Sequence, residues 1–295
     1  MILRKHLYIG GDNKMNMLMQ SYKDYLNNEE KSSNTIEKYM RDIGQFMLYL
    51  DECNVNNVQE IAKENVIAYK KKLILENYAA RSINSMLASI SSFLRYVGRE
   101  DCLVKNIRIQ RQIYCKEEQE LTKSEYLKLL QTAENEGNMR LSLIMQTICS
   151  SGIRVGELKF ITVEAIRCGK AVVSLKGKTR HIFIVSKLRK LLLKYASSKG
   201  ITSGSLFVTR SGKNISRTNI WREMKLLCTK AHVNQKKVYP HNLRHLFAKT
   251  FYKLKKDIVK LADVLGHSSI NTTRIYITST GYEHRRHMEN MKLIL

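Results

Sequence analysis

Apolar residues recur at helical spacing along most of the chain. Leu18, Tyr22, Tyr25 and Leu26 follow it between about residues 15 and 27. Ser33 or Asn34 then begins a stronger run, in which Ile36, Tyr39, Met40, Ile43, Phe46, Met47 and Leu50 form one stripe. Such a stripe marks a helix with one buried face. A third run holds Ile61, Val66, Tyr69, Leu73 and Ile74. A fourth holds Ile83, Met86, Leu87, Ile90, Phe93, Leu94 and Val97, with Gly98 as its stop. Four amphipathic helices with short links predict a small bundle of roughly a hundred residues. Its exposed sides carry Lys38, Arg41, Lys70, Lys71, Lys72, Arg81 and Arg95.

The periodicity fades over residues 105–120, KNIRIQRQIYCKEEQE, which reads as a linker. Thr122 with Glu125 then predicts a capping box that opens a second domain. There Leu141, Ile144, Met145, Ile148 and Cys149 predict a buried helix ending near Gly152, with Glu157 and Leu158 beginning the next. Two β-branched runs, 171–175 and 181–185, flank KGKTR and predict a hairpin. Further on come a helix around Leu188, Leu191, Leu192 and Tyr195, a short strand at 205–208 and a helix at 220–228. Pro240 suits the entry of another helix, since the first helical positions need no N–H. Ile258, Leu261, Ala262 and Leu265 mark the next, closed by Gly266, and Ser268 or Ser269 can cap a last one. The expected architecture is mainly α with a small antiparallel sheet. An extension (1–14), a helical domain (15–104), a linker (105–120) and a second domain (121–295) follow in order.

Charge changes the picture. Among 295 residues, 51 Lys and Arg stand against 26 Asp and Glu, a formal net charge of +25. That excess is far beyond what solubility needs and points to a polyanion, nucleic acid first. With 43% hydrophobic residues the chain can still bury substantial cores. The six cysteines show no pair at metal-ligand spacing, and most sit in apolar runs and read as reduced core residues. No run is apolar enough to span a bilayer, and no signal peptide is read at the N-terminus, so a cytoplasmic location is expected.

The candidate chemistry lies near the C-terminal end. HNLRH at 241–245 places His241 and Arg244 three residues apart on one helix face, and LGHSSINTTRIY at 265–276 adds His267 and Tyr276. Upstream, SGIRVGEL at 151–158 holds Arg154 after a glycine turn, and VVSLKGKTRHIFI at 172–184 holds lysines in the predicted hairpin. Four separated elements in this order resemble the signature of the tyrosine recombinases, the lambda-integrase family with its Xer-type and transposon integrases.

The resemblance covers about residues 15–295 and implies a site. Tyr276 would be the nucleophile, Arg154 and Arg244 the grips on the phosphate, and His241 and His267 further hydrogen-bond donors. Lys176 would be the general acid, with Lys178 as the alternative because the turn is about one residue short. His245 reads as structural and Glu157 as a structural partner. The first domain would be a SAM-like core-binding domain that, with the catalytic domain, clamps duplex DNA. Arg81, Ser82 and Ser85, with Lys178 and Arg180, are the candidate DNA contacts. The implied partners are double-stranded recombination sites, further copies of the chain in a tetramer docked through the apolar-tipped tail, and accessory DNA-bending proteins. No cofactor and no metal are expected. A type IB topoisomerase shares the chemistry, and a catalytically silent DNA-binding regulator could share the fold.

Overall fold

The computed structural model describes residues 12–110, 120–175, 178–276 and 288–291. The chain divides into two units, Met1–Arg111 and Gln112–Leu295. In the first, α1 (Asp12–Asn28), α2 (Ser33–Glu52), α3 (Lys63–Leu75) and α4 (Ala80–Tyr96) bury the predicted stripes against one another. Tyr22, Ile43, Phe46, Tyr69, Leu87 and Phe93 are the heart of that core. Ser32 caps α2 by accepting from the Thr35 N–H, satisfying a donor that the helix itself cannot.

One of the expected surface lysines is committed inside this unit. Lys38 Nζ lies 2.5 Å from the buried Asp42 carboxylate and 2.8 Å from the Ser85 carbonyl, and Ser89 Oγ donates to the same carboxylate at 2.8 Å. A buried carboxylate needs a counter-charge, and Lys38 supplies it. Lys72 likewise pairs with Glu52 at 2.8 Å. Arg81, Ser82 and Ser85 are exposed on one side of α4.

The second unit is built around α6 (Met139–Ser151), where Leu141, Leu143, Ile144, Met145 and Ile148 are buried. Around it pack α5 (Lys123–Asn135), α8 (Ser186–Ser198), α9 (Arg217–Ala231) and α10 (Pro240–Lys255). The capping box forms as read, with the Glu125 N–H donating to Thr122 Oγ1 and the Thr122 N–H to the Glu125 carboxylate. Between α6 and α8 lie α7 (Val163–Cys168) and a hairpin of β1 (Lys170–Leu175) and β2 (Lys178–Phe183), in register Val173 to Arg180. The last elements are α11 (Ile258–Leu265) and α12 (Ile270–Arg274).

Three local expectations change. The second strand starts at Lys178, not residue 181, because its ladder with the first strand runs down to the Leu175–Lys178 pair; its polar first half carries no apolar alternation to show this in the sequence. Residues 205–208 make only single bridges, Thr162 to Ser205 and Val208 to Asn214. Consecutive Leu206 and Phe207 are both buried there, which a strand with one buried face does not allow. Glu157 and Leu158 sit in 3₁₀ turns, Val155–Phe160, not an α-helix. Among the described residues, no helix is long and apolar enough to cross a membrane. The tail expected to dock on a neighbour, residues 282–295, falls mostly at 282–287 and 292–295, outside the described residues; Met288 and Met291 are exposed.

Candidate active site

Glycine turns at two helix ends and the start of a third helix bring the chemistry together. Gly152 closes α6 in the left-handed region (φ 64°) and delivers Arg154, while Gly266 closes α11 in the same way and delivers His267. Pro240 opens α10, whose first turns hold His241, Arg244 and His245. Tyr276 lies in the turn after α12, its N–H donating to the Thr273 carbonyl at 2.9 Å.

Arg244 is only 1% exposed. One terminal nitrogen donates to the Gly152 carbonyl and the other to the Leu265 carbonyl at 2.8 Å. Both acceptors stand at helix C-termini, where carbonyls lack intrahelical partners and the helix dipole favours a cation. Burial, then the Arg154 charge, pushes the guanidinium down to about 10, with the Tyr276 phenol acting in the opposite sense. It remains a cation at neutral pH. Its Nε is buried without a partner among the described residues.

The same arrangement fixes the state of His267. Arginine has no acceptor, so the 3.0 Å contact between Arg244 Nη2 and His267 Nε2 requires Nε2 to accept. Nδ1 then carries the proton and donates to Thr273 Oγ1 at 2.9 Å. Burial, followed by the charges of Arg244, Arg154 and Arg180, pushes this imidazole down to about 4, in keeping with a neutral ring. In this arrangement His267 holds Arg244 and has no N–H free for a phosphate, contrary to the expectation of a direct donor.

Tyr276, 5% exposed, is ringed by imidazoles. Ring centroids lie 4.7 Å away for His245, 5.4 Å for His267 and 5.4 Å for His241, and the Arg244 guanidinium carbon is 6.0 Å from the phenol centroid. His245, read from the sequence as structural, therefore faces the phenol. It stands four residues after His241 and so shares its face, a spacing readable in the sequence. Burial, then His241 and Lys249, pushes His245 down to about 4. Burial, then Arg244, Arg217 and Arg154, lowers His241 as well.

Glu157 organises the other side. Its buried carboxylate accepts from the Arg154 N–H at 2.9 Å and the Arg154 side chain at 3.0 Å, and a terminal nitrogen of Arg180 bonds it too. Burial raises this carboxyl, yet the Arg154 N–H and the Arg180 charge outweigh it and leave Glu157 below the usual range. Arg154 keeps 44% of its side chain exposed. Arg180, expected as a DNA contact, is turned inward on this carboxylate and on the Val264 carbonyl at 3.0 Å. Lys176 lies outside the described residues, and Lys178 is described only by its backbone in β2.

Among the described residues no group of three or more His, Cys, Asp or Glu is placed to hold a metal ion. A cavity of about 820 Å³, lined by Met139, Arg140, Leu191, Lys194, Tyr195 and Arg210 among others, includes none of the site residues in its walls.

Residues 119–282 match the Phage integrase family, and residues 19–101 match the phage integrase N-terminal SAM-like domain. The chain belongs to the phage integrase family. It is a tyrosine recombinase, an enzyme of site-specific DNA recombination. Similar proteins include tyrosine recombinase XerD of Staphylococcus epidermidis, 27% identical over 278 residues, 89% of this chain and 94% of that protein. Tyrosine recombinase XerA of Pyrococcus furiosus is 27% identical over 286 residues, 94% of each chain. The recombinase fold is shared with XerH bound to a palindromic difH substrate (TM-score 0.71, 16% identity, 98% of each chain). It is shared also with a lambda integrase dimer bound to a core site (TM-score 0.70, 20% identity, 90% of this chain and 96% of that one).

Proposed function

We propose that this recombinase cuts and rejoins duplex DNA at recombination sites through Tyr276, by a 3′-phosphotyrosine intermediate. Tyr276 Oη attacks phosphorus, the bond to the 5′-oxygen breaks, and the phosphoryl group passes to the tyrosine. His241, held neutral by its surroundings, takes the phenol proton. Arg154 and Arg244 grip the nonbridging oxygens, where guanidinium forks match phosphate geometry. Losing either should cost about 3 kcal/mol or more of transition-state stabilisation. The hairpin lysine, Lys176 or else Lys178, protonates the departing 5′-oxygen. A 5′-hydroxyl from a second strand then reverses the steps, and since the phosphotyrosine keeps the bond energy, rejoining needs no ATP.

The observation that carries this reading is the company Tyr276 keeps. A lone buried tyrosine is ordinarily core, but this phenol lies against three imidazoles and within 6.0 Å of a buried guanidinium that has a donor to spare. In the assembled reaction two sites would be held by four copies of the chain, the tail of each docked on a neighbour.

The test is covalent trapping on nicked duplex fragments from the DNA flanking the coding sequence, resolved on a denaturing gel. The wild type should form an adduct that Tyr276→Phe lacks, while both bind the fragments with similar affinity. Equal loss of binding and adduct in the variant, or an adduct that survives it, removes Tyr276 from the role. A 5′-thio leaving group needs no proton and should rescue the variant of the true hairpin acid, Lys176→Ala or Lys178→Ala.

A further inference from the structure

We propose that Arg180 is a positioning residue of the cleavage reaction: it neutralises Glu157, so that Arg154 keeps its positive charge for the phosphoryl oxygens. The inference rests on the reading of Arg154 as a phosphate grip and assigns Arg180 a place in the same site. Glu157 is the fixed point, 3% exposed, and it holds Arg154 by both backbone and side chain. Were this pair alone, the carboxylate would cancel the guanidinium at a place where the low local dielectric makes charges count. Arg180 bonds the same carboxylate, so two guanidiniums share one negative charge and the cluster stays cationic. Arg154 is the partner on the exposed side, its side chain 44% accessible against 13% for Arg180.

The fold builds a seat for Arg180. Its Nη1 donates to the Val264 carbonyl at 3.0 Å, and its aliphatic stem crosses Gly266, where a Cβ would come within 2.4 Å of Cδ. Gly266 also has φ +64°, so the left-handed turn that presents His267 is the turn that admits Arg180. The inner-facing register position opposite Val173 brings the side chain there from β2. Since Arg180 touches the turns bearing Arg154 and His267, a simple tie between segments is the competing account. The two accounts predict opposite signs in a double variant.

The experiment measures single-turnover cleavage, at saturating protein, of a nicked fragment that the wild type traps covalently. Arg180→Gln should slow cleavage by about tenfold or more, the scale of a lost charge-assisted contact. In the Glu157→Gln background the same change should cost little, because there is no carboxylate left to neutralise. Equal or greater loss in that background overturns the proposal in favour of a mechanical tie. Arg180→Lys keeps the charge and should retain most of the rate even if Arg180→Gln folds poorly; a loss as large as that of Gln also overturns it. Arg154→Gln is run alongside. If it cleaves like the wild type, the phosphate-grip reading of Arg154 fails and takes this inference with it.

Discussion

A phenol ringed by neutral imidazoles makes the catalytic unit sensitive to acid in a window that can be calculated. His245 and His267 ordinarily titrate near 6.5 and are pushed down to about 4, by burial first in each case. Their folded values lie below the unfolded ones, so between pH 6.5 and about 4 the unfolded chain binds more protons. Stability therefore falls as pH falls through that window. The carboxyl of Glu157 is lowered from 4.5, so its own contribution is lost only below that value. The upper part of the window, from 6.5 to 4.5, belongs to the histidines. His245→Gln should thus flatten the fall of the thermal midpoint over that range relative to the wild type. Parallel curves for the two proteins would show that His245 is not held neutral by the fold.

At the scale of elements, the two glycine turns set the site and Gly44 serves as their control. Gly152 has φ +64°, and a Cβ there would come within 2.6 Å of the Phe247 ring. Gly152→Ala combines backbone strain with a steric clash and should cost about 2 kcal/mol or more. It should also cripple cleavage, because the Gly152 carbonyl carries Arg244. Gly44, within α2, has nothing within 4 Å of its missing Cβ, so Gly44→Ala should stabilise the first unit by about 0.5–1 kcal/mol. Chemical denaturation of the two variants checks both signs. The helices were legible in the sequence, because apolar stripes and glycine stops are local signals, whereas Arg154, His241, Arg244, His267 and Tyr276 were picked out by the resemblance of their motifs. His245, read as structural beside Arg244, stands four residues after His241, a spacing that already put it on the same helix face. The place of Arg180 was not legible, since a cation in a hairpin looks alike whether it faces DNA or a buried carboxylate. Only the tertiary approach of Glu157 and Gly266 separates the two. The link between Thr273 and His267 crosses a turn whose geometry no periodicity encodes.

At the scale of the whole molecule, the charge of +25 bears on DNA affinity only through cations that remain available. Each phosphate neutralised releases counterions, so the logarithm of the binding constant falls linearly with that of salt, by about 0.9 per contact on duplex DNA. In the first unit the structure sorts the lysines and arginines by prior commitment. Lys38 is held by Asp42 and two further oxygens, whereas Arg81 is exposed beside Ser82 and Ser85 on α4. If α4 meets the backbone of DNA, Arg81→Ala should lower the magnitude of the salt slope by about 0.9 and leave thermal stability unchanged. Lys38→Ala should do the reverse, leaving the slope in place and lowering the unfolding temperature, because it strands the Asp42 carboxylate in the core. Fluorescence anisotropy over a range of salt concentrations, paired with thermal unfolding, reads both quantities on the same preparations. An unchanged slope for Arg81→Ala would take the N-terminal end of α4 off the DNA and shift the search to Lys71 on α3 and to Arg95 at the far end of α4. A reduced slope for Lys38→Ala would mean that Asp42 releases its lysine when DNA binds.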